Sequence, residues 1–448
     1  MGEPSVDNMF STASNKPHSR RKRMLSNVYS KSHIMANEAL KAQISTIIYD
    51  RFLPYLASTF DDTPPTTTTE QPQTQPGGGG VFNICALLSA TTMDIVTGYI
   101  FGLNASSNLI DNREELAWFL DLYNSRRSFN FWPQEFPRFT AFVERWMPGY
   151  RLSPKWVDEA NGEIEKWTAD MCERADAQVS SAGAVGGEEK AECVPVVYQQ
   201  LWKALSKEAK GEEESGGTLS QQLRMSLASE VLDHLAAGFD TSGITLTYIV
   251  HELSQHPDIQ SRLQKELLTL SPRLVPSSAP AAIPDPKAVD ALPVLHAVIW
   301  ETLRLHSAIP GPQPRFTPAQ GCRLGPEEKS YYVPGGVRVS ASAGLLHLNE
   351  EVYERASEWR PERWLDMDRL DVEKKKDMES RWFWAFGSGG RMCIGSHLAV
   401  YQMKYIVAAL YSNYSTTIVD DTDIEQSDAY TAPPKSDKLM IKLIKAYT

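Results

Sequence analysis

Cysteine is scarce in this chain. Five residues (Cys85, Cys172, Cys193, Cys322 and Cys393) are scattered through 448, with no CxxC pair and an odd total. That pattern excludes a disulfide framework and a paired-cysteine zinc knuckle, and it fits a reducing compartment. Positive charge is also in deficit. The 45 Lys and Arg against 56 Asp and Glu leave a formal net charge of −11, a poor match for a polyanion, so no nucleic-acid partner is expected. Long apolar runs are few, and the opening residues MGEPSVDNMFSTASNKPHSRRKRML contain none suited to a signal peptide or membrane anchor. Elsewhere the best candidate, Val81 to Leu103, is interrupted by Asn83, Asp94 and several hydroxyl residues. It reads as a buried helix, so no membrane span is expected in this chain.

What is present suggests a folded, mostly helical protein. Apolar residues are 42% and charged residues 23% of the chain, ordinary globular usage that excludes wholesale disorder. From Thr218 to His256, Leu219, Leu223, Leu227, Val231 and Leu235 recur at four-residue spacing, which predicts a helix of roughly 55–60 Å. Val337 to Leu348 alternates like a strand and, with Arg315 to Thr317, suggests a small sheet. The fold class is therefore mainly α with a small β portion, α+β. Loops break the helical stretches at Ser181 to Glu192, Lys207 to Gly217 and Ser271 to Pro286, and a Pro-, Thr- and Gly-rich segment at about 61–80 is expected to be a disordered insertion.

The most informative stretch is FGSGGRMCIG, Phe386 to Gly395. Glycines, Arg391 and an imminent helix N-terminus surround the lone Cys393, features that favour a thiolate ligand or nucleophile. An isolated cysteine is more often an inert core residue; the neighbours reverse that reading. The segment resembles the haem-binding signature Phe-x-x-Gly-x-Arg-x-Cys-x-Gly of the cytochrome P450 family at every fixed position. Three further resemblances follow the family order: Glu301-Thr302-Leu303-Arg304 to its Glu-x-x-Arg, Pro361-Glu362-Arg363-Trp364 to its Pro-Glu-Arg-Phe with Trp for Phe, and Ala237-Gly238-Phe239-Asp240-Thr241 to its oxygen-activation motif.

The resemblance implies a single P450 domain over 1–448 holding haem b, iron protoporphyrin IX, with Cys393 as the axial ligand of the iron. It implies that Phe386 packs beside the sulfur, that Gly389 and Gly395 let the backbone turn and approach the porphyrin, and that Arg391 and Arg315 contact the propionates. Gly238 would leave room for dioxygen, and Thr241 with Asp240 would relay protons. Glu301, Arg304 and Arg363 would form a buried network that holds the cysteine loop; by themselves Glu301 and Arg304, three apart, suggest only an ordinary helix-surface pair. Lys16 to Ser32 resembles the family's helix that approaches both haem and redox partner. Counting four residues on from His18 reaches Lys22, with Arg23 next, so the third propionate contact is either of these, with Arg23 taken as the site residue.

The family normally carries roughly a hundred residues ahead of that helix, including an anchor that places relatives at the endoplasmic reticulum membrane. The chain is thus read as N-terminally short. Two readings follow: a monooxygenase oxidising a small apolar molecule with electrons from NADPH-cytochrome P450 reductase, or a non-catalytic haem-binding homologue. A rearranging or isomerising member is disfavoured by Thr241 and Asp240. Ala36 to Leu40, Leu303 to Arg315 and Arg360 to Leu365 look most like fungal members of secondary metabolism. The substrate pocket is expected to draw on Ser307 to Pro312, the first half of the long helix and the aromatic-rich Phe129 to Phe142, the last equally readable as core. His251 and His256 mimic HExxH but stand five apart, about 140° round a helix, and do not share a face.

Overall fold

Apolar residues at four-residue spacing build the long helix Gln221–Gln255, 35 residues and about 52 Å in length. The computed structural model describes residues 8–59, 80–129, 131–147, 149–182, 190–209, 221–276 and 282–446. The segment read as an insertion, at about 61–80, falls outside them except for Gly80. From Ser242 to Leu253 the long helix is buried on every side, as expected for a helix crossing the interior of a domain.

Its main partner is Ile84–Phe101, the segment whose apolar run suggested a buried helix. Among the described residues this is the one helix long and apolar enough to cross a membrane, and 89% of it is buried inside the protein. Its Asp94 is satisfied locally: the carboxylate accepts from Ser107 Oγ at 2.7 Å, from the Leu109 N–H at 2.8 Å and from Arg51 at 3.3 Å. With the Ile110 N–H at 3.3 Å, four donors replace the water lost on burial. Where the two helices cross, a Cβ on Gly238 would stand 2.9 Å from a Val96 methyl. Only glycine permits that approach.

Strands are short and peripheral. Strands β1 (Val81–Asn83), β6 (Tyr414–Asp420) and β7 (Met440–Lys445) form an antiparallel sheet in the order β1-β7-β6. Strand β2 (Pro312–Phe316) pairs with β5 (Arg338–Ser342), placing Arg315 opposite Val339, and β3 (Cys322–Leu324) pairs with β4 (Tyr331–Val333). The strand expected over Val337 to Leu348 stops early. After Ser342 the chain turns into the helix Ala343–His347, because Ala-Gly-Leu-Leu-His lacks the β-branched residues that favour a pleated surface. All five cysteines are free.

Candidate active site

The cysteine loop is closed by its own backbone. The Cys393 N–H donates to the Phe386 carbonyl at 2.8 Å, Gly387 N–H to Trp384 O at 2.9 Å and Met392 N–H to Gly389 O at 3.0 Å. Gly387 and Gly389 both hold φ at +68°, a conformation that strains any residue with a side chain. Gly395 is different: its φ is −83°, and an added Cβ would meet only the Cys393 sulfur, at 3.9 Å. Its glycine keeps the space beside the sulfur clear. Phe386 lies half-buried against the main core.

Cys393 is both exposed and desolvated. Burial pushes the thiol pKa up, opposed by the Gly395 and Ser396 N–H groups and by the charge of Lys22. The protein groups alone therefore favour the thiol, and a bound metal cation would be what deprotonates it. This corrects the expectation that Arg391 activates the sulfur. Its guanidinium turns the other way, donating to the carbonyls of Thr12 and Ala13, both at 2.7 Å.

Positive charge converges beside the loop. Lys22, on the helix Asn15–Leu25, donates to Met392 O at 2.7 Å and Gly390 O at 3.2 Å. Arg315 leaves β2 exposed, its guanidinium resting on the Pro314 carbonyl at 2.8 Å. His18 is buried one turn before Lys22; burial first, then the charges of Arg391, Lys22 and Arg315, lower its pKa and keep the ring neutral, against the pull of Glu230. Arg391 is likewise depressed by burial and by Arg315. Among the described residues Lys22, Arg315 and Arg391 make no ion pair, and two carboxylates would supply the counter-charge. Arg23 does not join the cluster. It is exposed, about 100° round the helix from Lys22, and of the two it is Lys22 that hydrogen-bonds the cysteine loop.

The oxygen-motif residues separate. Thr241 is accessible, and its hydroxyl donates to Ala237 O at 2.9 Å. Asp240 points elsewhere: it is buried and accepts from Tyr123 OH at 3.3 Å, a residue of the helix Arg113–Ser125. Burial raises its pKa against the Thr431 and Tyr123 hydroxyls and the charge of Arg127. Gly238, expected to leave room for dioxygen, instead faces Val96 and serves helix packing. Ala237 is the exposed small residue of the pair.

Behind the loop, Glu301 and Arg304 of the helix Pro293–Leu305 are fully buried. Glu301 accepts from Arg304 Nη2 at 2.7 Å, Arg304 Nε at 2.9 Å, Arg363 Nε at 2.9 Å, the Arg360 N–H at 2.9 Å and Trp364 Nε1 at 2.8 Å. Trp in place of the family's Phe thus adds a donor to the network. Burial alone would raise the Glu301 pKa; the Arg304 hydrogen bond and charge, then Arg363, hold it below the ordinary value. His347 extends this network to the loop: Nδ1–H donates to Arg304 O at 2.8 Å, and Nε2 accepts the Trp384 N–H at 2.8 Å.

Several residues near the cysteine loop carry no motif in the sequence. His347 is one; Asp233, Phe10 and Tyr430 are others. Asp233 stands eight positions before Thr241, so helical spacing alone could have placed both on one stripe. The aromatic-rich stretch proves not to be core: Phe131, Phe136, Phe139, Phe142 and Trp146 are each about half exposed or more. Ser307 and Ala308 are buried, while Ile309 to Gly311 remain accessible. The His251 and His256 side chains go to different acids, Asp421 and Glu252. Two shallow recesses, of about 410 and 290 Å³, lie elsewhere, against Val28 and Val196 and against His296 and Lys404.

Comparison with known proteins adds an independent line. The family model described as Cytochrome P450 matches residues 66–441. The cytochrome P450 monooxygenase hkm5 of Aspergillus hancockii is 34% identical over 47% of this chain and 38% of that protein, so the matched region spans about two-fifths of that relative's length. The monooxygenase avaI of Aspergillus versicolor is 26% identical over 89% of this chain and 81% of its own. Among solved structures, the heme domain of cytochrome P450DA superposes with a TM-score of 0.65 at 16% identity, covering 98% of this chain and 79% of that one, which speaks to the fold.

Proposed function

Because the chain belongs to the cytochrome P450 family, we propose that it is a haem-thiolate monooxygenase that oxidises a small apolar molecule with electrons from NADPH-cytochrome P450 reductase. The observation that carries this reading is the position of Cys393: an exposed yet desolvated sulfur on a hydrogen-bonded loop, with the cationic groups of Lys22 and Arg391 beside it. The haem b that the family implies fits those residues. Cys393 would hold the iron, and Arg315, Arg391, Lys22 and neutral His18 would receive the propionates. Bound there, a thiolate-ligated haem supplies the electron push that favours O–O cleavage.

The protein's own part is positional. The Gly395 and Ser396 N–H groups direct hydrogen bonds at the sulfur and temper its basicity. Thr241 keeps an accessible hydroxyl hydrogen-bonded to the Ala237 carbonyl, while Asp240, held by Tyr123, is a buried acid able to take up and release a proton between Thr431, Tyr123 and the helix. Accessible apolar surface at Ile309 and Pro310 suits an apolar substrate, and the resemblance to fungal relatives supports a place in secondary metabolism.

The test is the carbon-monoxide difference spectrum of the reduced, haem-loaded chain. A Soret maximum at the thiolate position, lost in Cys393→Ala, is the expected result; a chain that binds no haem, or binds it without a thiolate signature, would overturn the reading.

A further inference from the structure

The smaller recess, of about 290 Å³, lies at the small end of clefts that take small molecules. Four helices wall it. Ser396–Asn413, which follows Cys393, contributes Val400, Tyr401 and Lys404 from one stripe. Pro293–Leu305 contributes His296 and Trp300, one turn apart, while Lys31 and Asp290 come from the helices Lys31–Ala36 and Pro286–Asp290.

The inner wall holds hydrogen-bonding capacity that the protein does not use. Tyr401 is 5% exposed, yet its hydroxyl has no well-formed hydrogen bond among the described residues. The neighbouring Tyr405, its ring 4.9 Å away, spends its own hydroxyl proton on the Pro284 carbonyl at 2.7 Å. A buried phenol normally finds a partner, and a buried polar group left without one costs about 1–3 kcal/mol. Three residues on, the Lys404 ammonium is 3% exposed and donates to the Asp290 carbonyl and to Asp290 Oδ1, both at 2.8 Å. An ammonium has three protons, and the third finds no acceptor among the described residues.

Charge at the recess is unbalanced. Lys31 takes the other Asp290 oxygen at 2.9 Å, so two cations share one carboxylate. Glu266, whose charge also reaches Lys404, is turned to the Val294 and Leu295 N–H groups at 2.7 and 2.8 Å. His296 is neutral, because burial and then the Lys404 charge lower its pKa to about 4 against the pull of Asp290. Its ring ends a row: Trp300 lies parallel to Phe383, planes 2° apart, and stacks on His296 at 4.0 Å.

Two unspent donors, a surplus cation and a wall of stacked rings in a shallow cleft are complementary to a flat molecule that ends in an acidic oxygen. We propose that this recess binds a small aromatic carboxylate, whose oxygens accept from Tyr401 and Lys404 and whose ring continues the row at His296. No residue of the cysteine loop lines the recess, so the ligand binds apart from the reacting centre and independently of the monooxygenase reading.

The experiment measures 2-naphthoate binding to the haem-loaded full chain by equilibrium dialysis, with 4-phenylimidazole saturating the iron so that the probe does not report the haem site. 2-Naphthamide, neutral and of the same shape, is the control. The expected result is one naphthoate per chain, bound about tenfold more tightly than the amide by the wild type and about tenfold more weakly by Tyr401→Phe, which removes only the hydroxyl. His296→Ala should weaken both probes alike. An unchanged naphthoate affinity in Tyr401→Phe, equal binding of the two probes, an unchanged affinity for both in His296→Ala, or no naphthoate bound to the wild type overturns the proposal. If Tyr401→Phe fails to hold haem, Lys31→Gln on the exposed rim takes its place: a loss confined to naphthoate is expected, and a parallel loss or no loss overturns the proposal.

Discussion

Lys22 joins two parts of the site through two hydrogen bonds. Its ammonium bridges the Gly390 and Met392 carbonyls, so removing it frees the strand of the loop that leads into Cys393 and deletes one cation near the sulfur. Charge-assisted bonds of this kind are each worth about 1.5–3 kcal/mol. Lys22→Ala is expected to weaken haem retention by roughly tenfold or more, measured as haem transfer to apomyoglobin, whereas Arg23→Ala should leave it unchanged. Equal losses in the two variants would restore Arg23 to the site. Thr241 gives the second residue-scale prediction. Thr241→Ala should keep the carbon-monoxide spectrum and shift consumed NADPH from product to hydrogen peroxide; unaltered coupling would remove Thr241 from proton delivery. At this scale the sequence was most legible where a residue type is chemically irreplaceable, as at Cys393 and Glu301. It was least legible where a neighbour of similar charge could serve, as with Lys22 and Arg23, because helix phase relative to the loop is set by tertiary packing.

The helix Pro293–Leu305 holds the cysteine loop through a chain of contacts: Glu301 to Arg304, the Arg304 carbonyl to His347, and His347 to the Trp384 N–H. Glu301→Ala would leave two buried guanidinium groups unpaired, a loss of about 3–5 kcal/mol in stability readable in urea denaturation, with haem lost in parallel. Because His347 Nε2 accepts a backbone N–H, the ring must be neutral. Burial lowers its pKa to about 4, helped by the Arg304 charge and opposed by the bond to the Arg304 carbonyl. The unfolded chain, at the ordinary value of about 6.5, binds the proton first. Stability is therefore intact above about pH 6.5 and falls as pH drops toward 4, by up to ~3 kcal/mol from this residue. His296 has the same window, so the check is the difference: His347→Gln should be less stable at pH 7.5 yet lose less on acidification to pH 5 than the wild type. A parallel pH profile would mean that His347 is not the titrating group. The motifs of Glu301 and Arg363 were readable in sequence, but His347 was not. Its segment alternates like a strand up to Ser342, and only the turn into Ala343–His347 aims the imidazole at the loop.

Across the whole molecule the formal charge is −11, which would repel an acidic redox partner at long range. The helix Asn15–Leu25 runs against that balance: Lys16, Arg20 and Arg23 are exposed on the element whose inner side, through Lys22, touches the cysteine loop. Arg20 is partly neutralised by Glu208 at 2.7 Å, leaving Lys16 and Arg23 as the freer charges. Composition alone hid this face, since a local cluster vanishes in a chain-wide sum, and the fold is what brings it to the side of the molecule nearest the sulfur. An acidic reductase would be steered to it over about one Debye length, ~8 Å at physiological ionic strength. Reversing Lys16 and Arg23 together to Glu should slow first-electron transfer, measured by stopped-flow as the rate of carbon-monoxide complex formation after mixing with reduced reductase. The slowing should be largest at low salt and shrink as salt rises, because screening already removes the attraction that the substitution deletes. The carbon-monoxide spectrum itself should not change, as neither side chain touches the loop. A doubly reversed variant reduced at the wild-type rate in low salt would show that electrons arrive by another face.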